Sequence, residues 1–243
     1  MLERLELVRI EPRLIVDAGS GPGRDAARLA HRYKRANVVA VDFSRRMLRT
    51  APRQWNPFVR RGFEPLCADF ARLPLVAGCV DFLWSNMALH WADAEAALAE
   101  FSRVLRVEGL LMFSTLGPDT LKELRAAAGS ERVHGFVDMH DLGDMLVAAG
   151  FAAPVMDMEV ITFTYADSRA LLSDLRASGQ TSARADRRRG LTGRGFLTGV
   201  TSRAGTRATF EVVYGHAWKG APRKLGDGRD IVHFHATRSA RLK

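Results

Sequence analysis

A glycine-rich turn directly after an apolar run constrains the fold of this chain more than any other stretch. The run spans residues 14–16, an acid follows at Asp17, and glycines occupy three alternate positions, Gly19, Gly21 and Gly23. This pattern predicts a buried β-strand that ends in a tight turn, with a helix beginning after the third glycine. Because glycine adopts positive φ and has no Cβ, a ligand can approach the backbone of such a turn closely. Open α/β sheets bind their ligands at this end of a strand, so the sequence predicts a ligand site here.

The spacing of the glycines argues against a dinucleotide site. That fingerprint is G-x-G-x-x-G, whereas here the third glycine comes one position early and Arg24 stands where the fingerprint has glycine. A second acid, Asp42, ends the next apolar run at residues 38–41. A carboxylate at that place can accept charge-assisted hydrogen bonds from both hydroxyls of a ribose.

The D-x-G-x-G-x-G motif that begins at Asp17 resembles motif I of the class I S-adenosylmethionine (SAM) methyltransferases. The resemblance implies a doubly wound α/β fold with a mostly parallel seven-stranded sheet whose last strand is antiparallel. It also implies SAM as the cofactor and S-adenosylhomocysteine as the product. In that family the glycine turn passes the methionine end of the cofactor, the acid after strand 2 holds the ribose, and the acid after strand 3 faces the adenine. The implied cofactor-binding residues are Asp17, Gly19, Gly21, Gly23, Asp42, Phe43, Met47, Asp69, Phe70 and Asn86.

Composition bounds the class of protein. The chain has 243 residues, of which 47% are hydrophobic, and no apolar run approaches the ~20 residues of a membrane span. The two cysteines, Cys67 and Cys79, lack the paired spacing of a zinc site and predict reduced thiols in a cytoplasmic protein without a metal. We expect one domain over residues 1–218, followed by a basic, weakly ordered tail over residues 219–243.

The net charge is uneven along the chain. It is +9 overall, and residues 184–207 contain seven arginines against one acid, Asp186. An excess of this kind suits an acidic partner. A solvated surface loop is the alternative interpretation of the same residues.

The apolar periodicity predicts alternating strands and helices. Strands are expected at residues 14–17, 38–41, 63–68, 80–86, 110–115, 155–165 and 209–218. Helices are expected at residues 2–8, 24–34, 94–105, 118–128, 141–149 and 170–176, and Ser44 is a candidate N-cap for another that carries Met47. Residues 195–208, rich in Gly, Thr and Arg, are expected to form no helix.

Motifs in the second half of the chain indicate a particular family among the methyltransferases. Residues 167–176, the piece R-R-R-G-L-T-G at 187–193 and the piece F-E-V-V-Y-G-H-A-W at 210–218 resemble the malonyl-[acyl-carrier-protein] O-methyltransferases of biotin synthesis. The resemblance extends from the N-terminus to Trp218. It implies methylation of the free carboxylate of a malonyl thioester on acyl carrier protein, an acidic partner.

No general base is expected for this reaction, because a carboxyl group with a pKa near ~4 is already ionised at neutral pH. An arginine can bind such a carboxylate bidentately. The substrate-side candidates are His90, Trp91, Arg187, Arg188 and Arg189.

Three alternatives stay open on the sequence alone. The family also resembles a mitochondrial complex I assembly factor that hydroxylates an arginine. A SAM-binding protein without turnover is a further alternative, because family members carry a helical segment that folds over the cofactor and Met1 stands shortly before the first strand. A nucleic-acid methyltransferase is disfavoured, since Asn86-Met87-Ala88-Leu89 follows strand 4 in place of an N/D-P-P-Y/F motif.

Overall fold

The computed structural model describes residues 1–50, 62–178 and 193–221. Within these ranges a seven-stranded sheet has the order β3-β2-β1-β4-β5-β7-β6. The strands are β1 (Leu14–Ala18), β2 (Asn37–Asp42), β3 (Glu64–Cys67), β4 (Val80–Asn86), β5 (Leu105–Leu116), β6 (Phe151–Thr164) and β7 (Arg207–Lys219). Neighbours from β3 to β5 pair in parallel, and β7 runs antiparallel to both β5 and β6. The predicted mostly parallel sheet with a reversed last strand is confirmed.

Helices cover both faces of the sheet. They are α1 (Leu2–Leu5), α2 (Arg24–Arg32), α3 (Arg45–Thr50), α4 (Ala94–Val104), α5 (Lys122–Ala128), α6 (Met139–Ala148), α7 (Ser168–Ala177) and α8 (Arg194–Arg203). Two short 3-10 helices lie at Leu89–Trp91 and Ser130–Arg132. None of the helices in the described ranges is both long and apolar enough to cross a bilayer.

The central strands are apolar on both faces because both faces are covered. Phe82 and Trp84 of β4 pack toward Leu29 of α2, whereas Leu83 packs with Phe101 of α4 on the opposite side. All five side chains are fully buried. A continuous apolar run is what a parallel strand enclosed by two helical layers requires.

Two strands begin earlier than their sequence pattern predicts. Strand β5 begins at Leu105 because Val80 pairs with that residue before the register shifts and Phe82 pairs with Leu110. Strand β6 begins at Phe151, and its register with β7 shifts next to Ala153, which has a φ of +48°. In both strands an irregular segment interrupts the regular strand pattern, so the sequence did not predict the first residues of either strand.

The helix expected from residue 118 begins only at Lys122. A turn comes first, in which the Thr120 N–H donates to the Gly117 carbonyl over 3.0 Å, and Leu121 adopts a φ of +55°. Helix α1 likewise ends at Leu5, three residues before the expected end at Val8.

The expectation that residues 195–208 form no helix is wrong, since α8 spans Arg194–Arg203. Val200 and the adjoining Ala204 are buried against Ala127 of α5. The Arg203 guanidinium also donates to the Ala127 carbonyl over 2.9 Å. Packing against α5 thus overrides the low helix propensity of the glycines in this segment.

Candidate active site

The glycine turn lies at the carboxyl end of β1. The N–H groups of Gly19 and Ser20 both donate to the Val41 carbonyl, over 2.8 and 2.9 Å, which ties the turn to β2. Gly19 has a φ of +78°, and a Cβ built on it would overlap the Cβ of Ala88. Gly21 has a φ of +53°, and no atom of the described residues lies within 4 Å of the place where its Cβ would be. Gly19 is therefore required by packing, whereas Gly21 faces space that a ligand can enter.

The third glycine has a packing role. Gly23 immediately precedes α2, and a Cβ on it would overlap the ring of Phe63. Of the three glycines, Gly21 is the one whose backbone is open to a ligand.

Asp17 is a buried acid beneath this turn. Its side chain is 1% exposed, and its Oδ2 has no hydrogen-bond partner among the described residues. Burial raises the pKa of Asp17 well above its usual range, and the nearby charges of Asp25 and Asp42 raise it further, against a backbone N–H from Ala26. A group that brings positive charge or a donor to Asp17 would therefore be stabilised.

The Asp42 carboxylate holds the turn from the other side. Its Oδ2 accepts from the Gly21 N–H over 2.8 Å, and its Oδ1 accepts from the Ser44 N–H over 2.7 Å. An ionised carboxylate has about four acceptor positions, so each oxygen keeps capacity for a further donor. The Ser44 hydroxyl in turn accepts from the Met47 N–H over 3.3 Å, which is the N-cap contact expected for α3.

Four more of the predicted cofactor-binding residues are Phe43 and Met47, which are exposed, and Asp69 and Phe70, which follow β3. Phe43 and Met47 are 74% and 48% exposed, which is unusual for large apolar side chains and offers apolar surface next to Asp42. The Asp69 carboxylate accepts from the Ala71 N–H over 2.9 Å, which shapes the turn after β3. Phe70 is buried, with its ring 5.8 Å from that of Phe101.

Asn86 is held in a hydrogen-bonded network at the end of β4. Its amide Nδ2 donates to Asp25 Oδ2 over 2.7 Å, and its Oδ1 accepts from the Ser114 hydroxyl over 2.6 Å. The indole of Trp84 donates to the same Asp25 oxygen over 3.2 Å. Sequence reasoning missed Asp25, although an acid in the first turn of the helix after the glycines was an available signal. The network fixes the segment that places Ala88 against Gly19.

Aromatic rings gather next to this network. His90 and Trp91, in the 3-10 helix after β4, have ring centroids 5.0 Å apart. His134 lies 5.9 Å from the Trp91 ring and 5.2 Å from that of Phe136. These rings, except that of Trp91, line a pocket that Thr115 of β5 also lines. Sequence reasoning missed His134 and Phe136, because nothing local marks a loop residue that meets His90 from 44 positions away.

His90 is neutral at physiological pH. Burial lowers its pKa to about 4, and the nearby His134 ring contributes to that shift. This histidine is therefore poised to offer hydrogen bonds rather than positive charge.

Several predicted features lie outside the described residues. They are Arg187, Arg188 and Arg189, and the tail from residue 222 onward. Lys219, placed at the start of that tail, is the last residue of β7. Within the described ranges, no group of three or more His, Cys, Asp or Glu side chains could hold a metal ion, and Cys67 and Cys79 are free thiols.

A parallel sheet with one reversed strand, a glycine turn after β1 and an acid at the end of β2 together define a class I methyltransferase fold. A family model described as a methyltransferase domain matches residues 16–113. The structure of the YcgJ protein from Bacillus subtilis superposes with a TM-score of 0.67 at 15% identity, covering 90% of this chain and 97% of that one. A geranyl diphosphate methyltransferase in complex with SAM superposes with a TM-score of 0.53 at 17% identity, over 85% of this chain and 78% of that one.

Sequence relatives are much closer. The malonyl-[acyl-carrier protein] O-methyltransferase of Methylovorus sp. (strain MP688) is 46% identical over 99% of this chain and 87% of that enzyme. The enzyme of the same name from Laribacter hongkongensis is 49% identical over 97% of this chain and 86% of its own length. The chain belongs to the malonyl-[acyl-carrier protein] O-methyltransferase family.

Proposed function

We propose that this chain transfers a methyl group from SAM to the free carboxylate of a malonyl thioester carried by acyl carrier protein. The observation that carries the proposal is the buried carboxyl group of Asp17, whose Oδ2 has no hydrogen-bond partner among the described residues, in the strand that leads into the open backbone of Gly21. This arrangement occurs in a chain 46% and 49% identical to two enzymes of that name.

The residues of the turn fit SAM. The cofactor carries a positively charged sulfonium and an ammonium group, and the nearby carboxyl groups of Asp17, Asp25 and Asp42 make this edge of the sheet a place where a cation would be stabilised. In the proposed arrangement Gly21 lets the cofactor lie against the backbone, and Asp42 accepts from the ribose hydroxyls in addition to its two backbone contacts. When bound, SAM supplies an electrophilic methyl group.

The acceptor side needs to position the carboxylate rather than deprotonate it. A carboxylate is already ionised at neutral pH, and holding two reactants in line is itself a large contribution to rate. In this proposal His90 and Trp91 contact the acceptor. The pKa of His90, about 4, leaves its imidazole neutral, so it contributes hydrogen bonds and not positive charge to the acceptor side.

Mass spectrometry of malonyl-carrier protein incubated with SAM tests the proposal. We expect a gain of one methyl group that mild esterase treatment removes, and no gain with acetyl-carrier protein, which has no free carboxylate. A gain of oxygen instead of methyl would replace the proposal with the hydroxylase alternative. Tight SAM binding without any product would replace it with the non-enzymatic alternative.

Replacing Asp42 with alanine is expected to weaken SAM binding by ~1.5–3 kcal/mol, the scale for losing charge-assisted hydrogen bonds. The variant also frees the Gly21 N–H, which Asp42 now accepts from. Asp42→Asn keeps the shape and one acceptor, so its affinity should fall between that of the wild type and that of Asp42→Ala. Isothermal titration calorimetry measures all three. Equal affinity in the wild type and Asp42→Ala would remove Asp42 from the site.

Reversing the charge of Arg187, Arg188 and Arg189 is expected to raise KM for malonyl-carrier protein by about tenfold, with SAM affinity unchanged. Exposed charges are screened within ~8 Å at physiological salt, so added salt should raise the wild-type KM as well. The control reverses Arg32, Lys34 and Arg35, three exposed cations beside the amino end of β2, at the opposite edge of the sheet from the glycine turn. An equal rise in both triple variants would show that net charge, and not a docking surface, sets KM.

A further inference from the structure

We propose that the pocket between His90 and His134 binds a secondary amide, the group that recurs along the pantetheine arm of a carrier-protein thioester. The inference rests on the proposed function for the identity of that arm. In this proposal the imidazoles of His90 and His134 bind the pantetheine arm and so position the malonyl group that the arm carries.

Among the described residues, the lining of the pocket contains no Asp, Glu, Lys or Arg. It is formed by the 3-10 helix after β4, the end of β5, the segment before α6 and the first turns of α4 and α6. His90, Thr115, His134, Phe136 and Leu142 are among its lining residues. A neutral ligand with hydrogen-bonding groups suits such a lining better than an ion does.

The hydrogen bond of His134 determines which of its nitrogens is an acceptor. Its Nε2 lies 2.8 Å from the backbone carbonyl oxygen of His90. A carbonyl can only accept, so Nε2 carries a proton, and in the tautomer with a single ring proton Nδ1 presents a lone pair. Nδ1 is buried without a hydrogen-bond partner among the described residues.

His90 presents the complementary group. Its Nδ1 lies 3.4 Å from the Thr115 hydroxyl, and its Nε2 is buried without a described partner. We assign the hydroxyl as the donor to Nδ1, which places the ring proton on Nε2. The lowered pKa of His90, about 4, keeps that ring neutral with a single N–H.

The two rings therefore offer one donor and one acceptor, 6.4 Å apart between their centroids. A secondary amide has one carbonyl acceptor and one N–H donor on opposite sides, so in this proposal it pairs with both nitrogens at once. A carboxylate would face the lone pair of His134, and an ammonium would face the N–H of His90. Leaving a buried polar group unpaired costs more than a made hydrogen bond gains, which gives the pocket selectivity for the amide.

Two malonyl thioesters that differ in one group test the assignment. One is built on N-acetylcysteamine, which contains a secondary amide, and the other on 2-mercaptoethyl acetate, in which an ester oxygen replaces the N–H. For wild-type protein we expect KM to be about tenfold lower for the amide, because the ester leaves His134 Nδ1 unpaired. The ratio of the two KM values is the readout, since a general loss of packing affects both substrates alike.

Variants at the two histidines complete the test. His134→Phe should bring the KM ratio near one, while His90→Gln, which retains an N–H donor, should keep it. His90→Phe should raise KM for both substrates, because both have a carbonyl. An unchanged ratio in His134→Phe, or a wild-type ratio of one, would overturn the amide assignment.

Imidazole nitrogen NMR decides the question without turnover. In full-length protein, N-acetylcysteamine should shift the signals of His90 Nε2 and His134 Nδ1, whereas 2-mercaptoethyl acetate should leave His134 Nδ1 unshifted. No shift at either nitrogen with the amide would overturn the inference. Absence of methyl transfer to either thioester, with both shifts present, would count against the proposed function and leave the amide pocket supported.

Discussion

Valine in place of Gly21 is expected to eliminate SAM binding, with a loss of affinity of at least ~100-fold, or about 3 kcal/mol. Two physical effects add. The backbone at this position has a φ of +53°, which a β-branched residue adopts only with strain. The side chain would also extend into the space that is open in front of Gly21, where the cofactor is proposed to lie.

Gly78→Val is the matched control. Gly78 has a φ of +69° and, like Gly21, has no atom within 4 Å of its Cβ position, but it lies in the turn before β4, at the opposite edge of the sheet. Both variants should lose similar thermal stability, and calorimetry should show lost SAM binding only for Gly21→Val. Wild-type affinity in Gly21→Val would refute the location of the site.

Sequence analysis correctly predicted those parts of the fold that depend on residues adjacent in the sequence. Strand β4 has the predicted bounds, because an enclosed parallel strand must be apolar on both faces. The contact of Ser44 with the first turn of α3 is likewise local, so its pattern is readable from a few residues.

Helix α8 shows where local reasoning failed. Its sequence has low helix propensity, and its stabilisation comes from Val200 and Ala204 packing on α5, about 75 residues earlier in the chain. Nothing within residues 194–203 indicates that this partner exists.

The candidate site likewise contains residues that the sequence predicted and contacts that it did not predict. Asp17 and Asp42 lie at the carboxyl ends of β1 and β2 and were predicted as site residues, because the carboxyl ends of parallel strands meet at one edge of the sheet. The contacts of Asn86 and His90 were not predicted, since Asp25 meets Asn86 across 61 residues and His134 meets His90 across 44. A sequence motif thus predicted the glycine turn, while the pocket between His90 and His134 depends on contacts that only the fold creates.

Asparagine in place of Asp17 is expected to stabilise the protein while weakening SAM binding. Burial holds the folded-state pKa of Asp17 above its unfolded value, so the folded protein binds more protons between those two values. Stability therefore falls as pH rises from the usual range of an aspartate through the raised pKa, and the cost is present in full above it. Removing the ionisable group should recover about 1–3 kcal/mol above the raised pKa, the scale for relieving a buried, unsatisfied polar group, and little below it.

Asp81→Asn provides a control of opposite sign. Asp81 is also partly buried, which alone would raise its pKa, but N–H donors from Leu14 and Arg13 and the Arg106 side chain hold that pKa below its usual range. Its contribution to stability is present above the unfolded pKa and is lost as pH falls through the folded pKa, so Asp81→Asn should destabilise the protein near neutral pH.

Thermal unfolding of both variants from pH 4 to 8, with and without SAM, makes the comparison. We expect Asp17→Asn to unfold at a higher temperature than the wild type without SAM, and to gain less than the wild type when SAM is added. The reason is that a neutral amide relieves the uncompensated charge but offers less to a cationic ligand than a carboxylate does. A lower unfolding temperature for Asp17→Asn across this pH range would mean that the Asp17 carboxylate is paired in the folded protein, and that it is not the vacant counter-charge of the cofactor site.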